Sequence, residues 1–460
     1  MKHQKNNETN LTPKHIAIAV AVAFAALSTN AFASGYQFGS QTVSGQGNSD
    51  AGSAEADNAS TIFYNPAGMS RLKGDQFTIG TTIVVPHSTY TDQGSTDFTG
   101  TSTGGTAASG YAPSSVVAPN TYISHQIDDK LNVGLGIFVP YGAQLNYGNT
   151  WTGRYALTDV KLQSMALNPS LSFKLDSHNS FGFGITAEYM KAKLDQAVDV
   201  PGSLKALNIP ISAGDGEAGI TGHGWGYGFN LGYLYQVDDN TRFGLAYRSS
   251  IKQTLKGNAT WDFSTCTTNP AINSLLAAGS GHANSASELD LNTPETLSAN
   301  VFSQLNDTWA VMADVTWTRN SRLTNLNIQF PGTAEGDETI RQEWKNTYRL
   351  SLGANYRVNQ ALTLRTGIAF DQAPVTSPQL TDPALPDSNR HWFSAGLNYK
   401  IDAHSSIDAA YSYVAFKDAL VDYTNGCSPI MTTCTGNGET TLGKYSTDIQ
   451  FVGVSYNYMF

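Results

Sequence analysis

The last nine residues of the chain alternate between apolar side chains and side chains that are small or polar, apart from Met459. The apolar positions are Val452, Val454, Tyr456, Tyr458 and Phe460. A period of two predicts a β-strand with one apolar and one polar face. Such a strand fits the wall of a membrane barrel, and it also fits the last strand of a soluble β-sandwich.

The same alternation recurs in the interior of the chain. Clear examples are 225–235, 309–317 and 344–356. Aromatic side chains often lie at the ends of each apolar set, as in the aromatic girdles that mark the two membrane interfaces of a transmembrane barrel. The repeated pattern therefore favours a barrel over a sandwich.

The composition agrees with strands that have one lipid-facing side. Only 14% of the residues are Asp, Glu, Lys or Arg, where soluble domains have roughly a quarter. Beyond the N-terminal segment no apolar run reaches the about 20 residues that a membrane helix needs. The 11% of aromatic residues also exclude a disordered chain, which is aromatic-poor.

The connections between the predicted strands alternate between short and long. Short polar turns lie at 128–129, 176–179, 238–240, 306–307, 359–360 and 402–404. Long loops cover 88–113, 148–154, 197–222, 262–290, 325–341, 372–388 and 419–443. One short-turned and one long-looped end is typical of an outer-membrane barrel, and closure satisfies every strand edge in lipid.

Fourteen strands are predicted between these connections. They begin near Gln76, Ser115, Leu131, Ala156, Ser180, His223, Thr241, Leu291, Thr308, Gln342, Ala361, Asn389, Ser406 and Lys444. The predicted fold is therefore all-β, a fourteen-stranded antiparallel transmembrane barrel over residues 76–460.

The N-terminus has the pattern of a secretory signal peptide. Lys2, Lys5 and Lys14 precede the apolar run 16–27, and 31–33 form a small-x-small cleavage site. The alternative, a membrane anchor helix, needs a longer run. We expect residues 1–33 to be removed and the protein to reach the outer membrane of a Gram-negative bacterium. The formal charge of −10 argues against a nucleic-acid partner.

Residues 34–75 lack strand alternation and are too long for a loose terminus. A fourteen-stranded barrel has room inside for more than its own side chains. We therefore expect this segment to fold into the lumen as a hatch.

The chain resembles the FadL family of outer-membrane transporters of long-chain fatty acids. The ordered matches span most of it. They are 65–67 (Asn-Pro-Ala), 168–170, 189–193, 225–228, 344–349, 365–370 and 387–396. The terminal aromatic strand also resembles the sorting signal of outer-membrane barrels, which implies that the barrel-assembly machinery recognises Phe460.

The resemblance implies a passive route for a hydrophobic ligand. A groove between two long loops captures the ligand, which passes to a lumen pocket and leaves through the wall. The matching loops, 197–222 and 262–290, carry Leu204, Leu207, Ile209, Leu275 and Leu276. These side chains either form the groove or pack the two loops together. Rearrangement of the hatch at Asn65, Pro66 and Ala67 would open the path.

The wall opening would lie in the third strand, which contains Gly134, Gly136, Pro140 and Gly142. Proline removes a ladder donor and glycine permits bulges. The alternative is an ordinary flexible strand, because glycine is common in this chain.

The family's pocket cations carry over to Lys191, Lys345 and Arg390, which would pair with a ligand carboxylate. Strand alternation places Lys345 and Arg390 in the lumen. Lys191 has the parity of an outward residue and would need a bulge. The alternative for all three is charge balance within the lumen, with Glu188, Asp314, Glu343 and Asp371 as partners.

The leading functional hypothesis is a monomeric fatty acid transporter, without enzymatic activity, metal or cofactor. Neutral or aromatic hydrocarbons are the alternative ligands, and a structural or adhesive surface barrel is the alternative class. An open porin would lack a hatch. Cys427 and Cys434 lie in one long loop of an exported protein, which predicts a disulfide and leaves Cys266 free or competing for a partner.

Overall fold

The structure is a computed structural model that describes residues 37–106, 115–333, 336–424 and 438–460. The predicted signal peptide lies outside these ranges. Within them, no helix combines the length and the apolar character needed to cross a bilayer.

The described residues form one antiparallel sheet of twenty strand segments. The first ten are β1 (Asp75–Asp92), β2 (Val116–Gln126), β3 (Leu131–Phe138), β4 (Gly142–Asn146), β5 (Asp159–Lys174), β6 (Asn179–Val198), β7 (Gly216–Gln236), β8 (Thr241–Arg248), β9 (Lys252–Asp262) and β10 (Ser285–Asn292). The others are β11 (Thr296–Gln304), β12 (Trp309–Thr318), β13 (Asn325–Gln329), β14 (Glu338–Arg341), β15 (Thr347–Arg357), β16 (Leu362–Asp371), β17 (Arg390–Lys400), β18 (Ser405–Phe416), β19 (Ala419–Thr424) and β20 (Thr440–Met459).

The sheet closes on itself as a barrel of fourteen spans. The first strand pairs with the last from Gln76↔Met459 to Asp92↔Gly443. Six spans consist of two segments each, namely β3/β4, β8/β9, β10/β11, β12/β13, β14/β15 and β18/β19. Closure pairs the first and last strands of the sheet, whose edges would otherwise be exposed to lipid. The predicted fourteen-stranded antiparallel barrel is confirmed.

Side chains alternate between lipid and lumen as the sequence predicted. On β6, Phe181, Phe183 and Ile185 are 47%, 38% and 52% exposed, whereas Gly182 and Gly184 between them are buried. The exposed set faces the hydrocarbon, where charge is costly. This division accounts for the low fraction of charged residues.

Strands β6 and β7 extend beyond the predicted strand ends. The loop predicted at 197–222 is wrong in its last part, because β7 begins at Gly216 and pairs with both β6 and β9 there. The part of a strand that extends beyond the membrane needs no apolar, lipid-facing side. Alternation of apolar and polar residues therefore does not predict that part of the strand. The remaining loop holds α3 (Val200–Ala206), and the loop after β9 holds α4 (Pro270–Ser280).

The segment before β1 lies inside the barrel. It contains α1 (Val43–Gly47), α2 (Thr61–Tyr64) and a 3-10 helix (Pro66–Arg71). Glycines of the wall make room for it, since a Cβ at Gly367 would lie 2.1 Å from the carbonyl carbon of Asn48. Ion pairs from Arg349 to Asp50 and from Arg365 to Asp57 fix it to the wall. We call residues 37–72 the hatch.

Candidate functional site

The third span of the barrel is broken at residues 139–141, between β3 and β4. Strand β2 pairs with β3 only from Thr121↔Ile137 to Gln126↔Asn132. Among the described residues, β4 pairs only with β5. In the described part of the chain, the wall between β2 and β4 therefore has no backbone ladder beyond Ile137 towards the long-looped end.

The hatch holds this broken segment through its backbone carbonyls. The Phe38 amide donates to the Pro140 carbonyl at 2.8 Å. The Gln41 side-chain amide donates to the Val139 carbonyl at 2.6 Å. A movement of the hatch would therefore displace the broken segment at the gap in the wall.

The four residues predicted to kink the third strand divide into two pairs. Pro140 lies in the break and Gly142 borders it, but Gly134 and Gly136 lie in β3 with regular pairing on both sides. A Cβ at Gly134 would lie 2.6 Å from Cδ1 of Ile62 in the hatch. The kink assignment is wrong for these two glycines, because Gly134 makes room for the hatch and the ladder at both stays regular.

An apolar cavity lies beside the break. Its volume is about 1110 Å³ when the part open to solvent is counted. The lining is mostly apolar and includes Tyr141, Leu162, Met190, Leu255, Leu291 and Trp344. Ligand pockets are mostly apolar and measure about 300–1,000 Å³, so this cavity has the size and character of a binding site for a hydrophobic molecule.

A second cavity, against the hatch, is lined by many polar side chains, among them Arg248 and Arg349. Arg349 is paired with Asp50 at 2.9 Å. No carboxylate among the described residues lies within 4 Å of the Arg248 guanidinium, which donates to the Phe63 carbonyl at 2.9 Å and the Thr186 hydroxyl at 3.3 Å. Arg248 therefore brings into the lumen a positive charge with no carboxylate in direct contact, although the buried carboxyl of Glu188 interacts with it at longer range.

Arg248 also stands next to the break in the wall. Its guanidinium lies 4.6 Å from the ring centre of Phe63 and 5.5 Å from that of Phe138, the last residue of β3. The sequence reasoning missed this residue. The signal was present, because Arg248 has the parity opposite to Phe243 and Leu245, which are exposed on the outer face.

Arg390 faces the lumen, as alternation predicted, and is 2% exposed. It forms ion pairs with Asp371 at 3.0 Å and Asp387 at 3.2 Å. Asp371 was one of the partners expected from simple charge balance. The Nη2 atom is buried without a hydrogen-bond partner in the described part of the chain, so one donor of this paired arginine remains open.

The placement predicted for Lys345 in the lumen is wrong. Lys345 is exposed, and Trp344, predicted to face outward, is 4% exposed and lines the apolar cavity. The residues between β14 and β15 are not in a strand, and Glu343 has a φ of +44°. This left-handed backbone breaks the alternation on which the prediction depended.

The assignment of Lys191 to the lumen pocket is also wrong. Strands β6 and β7 pair in one unbroken register from Asn179↔Tyr235 to Val198↔Gly216, so the bulge that Lys191 required is absent. Lys191 is exposed on the outer face with Tyr189. It cannot reach a ligand inside the barrel.

The Asn-Pro-Ala motif anchors the hatch to the wall. Asn65 is fully buried, and its side-chain amide donates to the Tyr233 carbonyl at 3.0 Å. Its side-chain oxygen accepts from the Ala67 amide at 3.1 Å and caps the 3-10 helix that begins at Pro66. A Cβ at Gly182 would lie 2.2 Å from the Ala67 nitrogen, so this approach requires glycine in the wall.

The apolar residues of the two long loops have separate surroundings. Leu204 is buried in one cluster with Val200 and Phe263, and Leu276 packs against that cluster. Leu207, Ile209 and Leu275 are 69%, 40% and 72% exposed. Packing between the loops accounts for the first two leucines, and the exposed three stay predictions for the groove.

The remaining site predictions concern the three cysteines, the C-terminal residue and the absence of a metal. Cys427 and Cys434 fall outside the described residues, and Cys266 is buried as a free thiol whose pKa is raised by burial. The Phe460 amide donates to the Asp75 carbonyl at 2.9 Å. Among the described side chains, no group of His, Cys, Asp and Glu is arranged to hold a metal ion.

Residues 24–460 match the family described as outer membrane protein transport protein (OMPP1/FadL/TodX). A Neisseria meningitidis serogroup B protein described as an outer membrane protein is 34% identical, over 97% of this chain and 98% of its own. The long-chain fatty acid transport protein of Escherichia coli K12 is 31% identical, over 86% of this chain and 91% of its own.

A solved structure described as a Pseudomonas aeruginosa FadL homologue has the same fold. Its TM-score is 0.83 at 24% identity, and the alignment covers 93% of this chain and 99% of that chain. The chain therefore belongs to the OMPP1/FadL/TodX family, as an outer-membrane transporter of hydrophobic compounds rather than an enzyme.

Proposed function

We propose that this transporter carries long-chain fatty acids from the cell exterior into the outer membrane. The ligand is captured between the two long loops, enters the apolar cavity, and leaves through the gap between β2 and β4. The observation that carries the proposal is the position of the broken segment between the apolar cavity and Arg248. Tyr141 of that segment lines the cavity, and Phe138 before it contacts Arg248.

The apolar cavity suits the tail of the ligand. Leu162, Met190 and Leu255 offer no partner to a polar group, so the cavity selects for apolar surface. A tail that lies here reaches the break without crossing water. Release into the lipid then requires only that the broken segment move aside.

Arg248 suits the carboxylate. It is a lumen cation with no carboxylate within 4 Å in the described structure, and the rings of Phe63 and Phe138, which meet edge to face, hold it in place. A charge-assisted hydrogen bond contributes about 1.5–3 kcal/mol. Arg390 offers a second donor through its open Nη2 atom, at lower net charge because two aspartates already pair with it.

The hatch couples binding to release. Phe38 and Gln41 bond the carbonyls of the broken segment, and Phe63 of the hatch contacts Arg248. A carboxylate that competes for Arg248 would weaken its bond to the Phe63 carbonyl. Rearrangement of the hatch at that point is then transmitted to the gap without any input of chemical energy.

Neutral hydrocarbons are the second candidate ligands. Most arginines of the lumen are already neutralised, since Arg349, Arg365 and Arg390 each pair with at least one aspartate. A lumen with so little free positive charge could serve an uncharged ligand. The role of Arg248 decides between the two candidates.

The test compares Arg248→Gln with the wild type for binding of oleate and of the uncharged analogue 1-octadecene in mild detergent. We expect oleate affinity to fall about tenfold or more, as the loss of one charge-assisted hydrogen bond predicts. Affinity for the hydrocarbon should stay within about twofold of the wild-type value.

The matched control is Lys191→Gln, which removes the same charge on the outside of the barrel. It should leave the binding of both ligands unchanged. Equal loss of oleate and octadecene in Arg248→Gln would contradict the carboxylate role and favour the neutral-ligand alternative.

A further inference from the structure

The outer face of the barrel carries a basic patch on four neighbouring strands, β5, β6, β7 and β9. Lys191 pairs directly with His223, and His223 pairs directly with Lys256. One residue pair further from the membrane centre, Lys161 pairs with Lys193. Directly paired side chains have Cβ atoms about 4.5–5.5 Å apart, so these five residues form one continuous surface, which we call the basic patch.

The basic patch lies at the level where lipid head groups begin. Next to Lys191 and His223 on the membrane side is the aromatic pair Tyr189 and Trp225, with ring centres 5.3 Å apart. Below that pair the same strands expose apolar side chains, among them Ile185 and Phe229. Aromatic belts mark the boundary between hydrocarbon and head groups. A lipid on this surface would place its acyl chains below the belt and its head group at the patch.

Part of the positive charge of the patch has no compensating carboxylate. Lys193 is paired with Asp159 at 3.0 Å and Asp195 at 2.5 Å, both on its distal side. Lys256 is paired with Glu288 at 3.1 Å.

Lys161 and Lys191 have no carboxylate within 4 Å in the part of the chain that the structure describes, and His223 lies beside Lys191. Lys161 faces Lys193 across the sheet, and like charges in this arrangement destabilise a sheet. An anionic partner on this surface would remove that repulsion.

We propose that the basic patch binds the phosphate of a lipid head group in the outer leaflet. Lys161 and Lys191 supply the charge, and His223 supplies a further hydrogen-bonding group. The apolar wall below the aromatic pair holds the acyl chains. Lys161 and Lys193 also border the apolar cavity within the wall, but the site takes a lipid from the outer leaflet and does not depend on the transported ligand.

The test measures binding of diphosphoryl lipid A by native mass spectrometry, with the full protein in nanodiscs of zwitterionic phosphatidylcholine. The wild type should prefer diphosphoryl lipid A over the dephosphorylated lipid with the same acyl chains. The double variant Lys161→Gln/Lys191→Gln should bind the phosphorylated lipid about tenfold less tightly, since each basic residue near a charged surface contributes measurably. It should bind the dephosphorylated lipid as the wild type does.

The matched control is Lys130→Gln/Lys400→Gln, which removes two exposed lysines at the short-turned end. It should bind as the wild type does. Lys191→Arg should keep the preference for phosphate, and heat-modifiable electrophoretic mobility should verify that each barrel is folded.

Equal affinity of the wild type and the Lys161→Gln/Lys191→Gln variant for diphosphoryl lipid A would overturn the proposal. So would displacement of the lipid by millimolar inorganic phosphate, because that result would assign the patch to a free anion.

Discussion

Two arginines of the lumen show how the surroundings of a residue set its role. Arg390 is enclosed by two aspartates, whereas Arg248 has aromatic rings and backbone oxygens around it. Strand alternation places both arginines in the lumen. Only the neighbours brought by other strands and by the hatch distinguish a structural ion pair from a cation that is open to a ligand.

Replacement of Arg390 by alanine should destabilise the barrel strongly. It leaves Asp371 and Asp387 buried without their counter-charge, and loss of one partner of a buried pair costs about 3–5 kcal/mol. We expect a lower temperature of unfolding in detergent, read from the loss of heat-modifiable mobility. Arg248→Gln breaks no direct ion pair with a carboxylate, and only the longer-range interaction with Glu188 is lost, so its unfolding temperature should fall less. An Arg390→Ala barrel as stable as the wild type would show that the two aspartates are solvated.

The hatch is the element whose stability should depend most on pH. Burial, with the carboxylate of Asp57 next to it, raises the pKa of Glu55 to about 7, against about 4.3 for an unperturbed Glu. The seated hatch therefore favours the protonated carboxyl. Its stability should be highest below about pH 4 and should fall as the pH rises towards 7, because the released hatch loses its proton first.

Hydrogen exchange of hatch peptides, corrected for the intrinsic rate, measures this dependence. Between pH 5 and pH 8 we expect opening of the wild-type hatch to increase about tenfold or more, since each pKa unit corresponds to a factor of ten. Glu55→Gln keeps the size of the side chain and should remove most of the change. The same pH dependence in both proteins would rule out Glu55 as its source.

The broken third span is a second element that depends on its surroundings. Proline at position 140 and glycine at position 142 weaken a strand, but the chain contains 43 glycines, so composition could not locate the gap. The hatch amides of Phe38 and Gln41 satisfy the carbonyls that the ladder leaves unpaired. The gap is therefore stable only while the hatch is in place.

At the scale of the whole molecule, the hatch should block ion flow. The wild type in a planar bilayer should show little stable conductance, because residues 37–72 fill the lumen and bond to the wall. Deletion of these residues should produce large, stable currents, since a barrel of this size has an open interior. Heat-modifiable mobility of the deletion variant verifies closure, and equally low currents from that folded barrel would contradict the blocking role.

The sequence by itself determined the barrel. Alternation with a period of two, the short and long connections, and the scarcity of charge each follow from the requirement that a strand in lipid hide its backbone and expose apolar side chains. These signals are local, so they can be read residue by residue. They correctly placed Arg390 in the lumen and indicated that Lys191 would need a bulge to get there.

The tertiary structure alone decided the site. Lys345 left the lumen because a left-handed residue at Glu343 interrupts the strand. Arg248 is open to a ligand because no carboxylate in the described structure lies within 4 Å of it. Both facts depend on contacts between segments that are far apart in the chain. Periodicity specifies which face of a strand a residue occupies, but the partners across the lumen are set only when the barrel closes around the hatch.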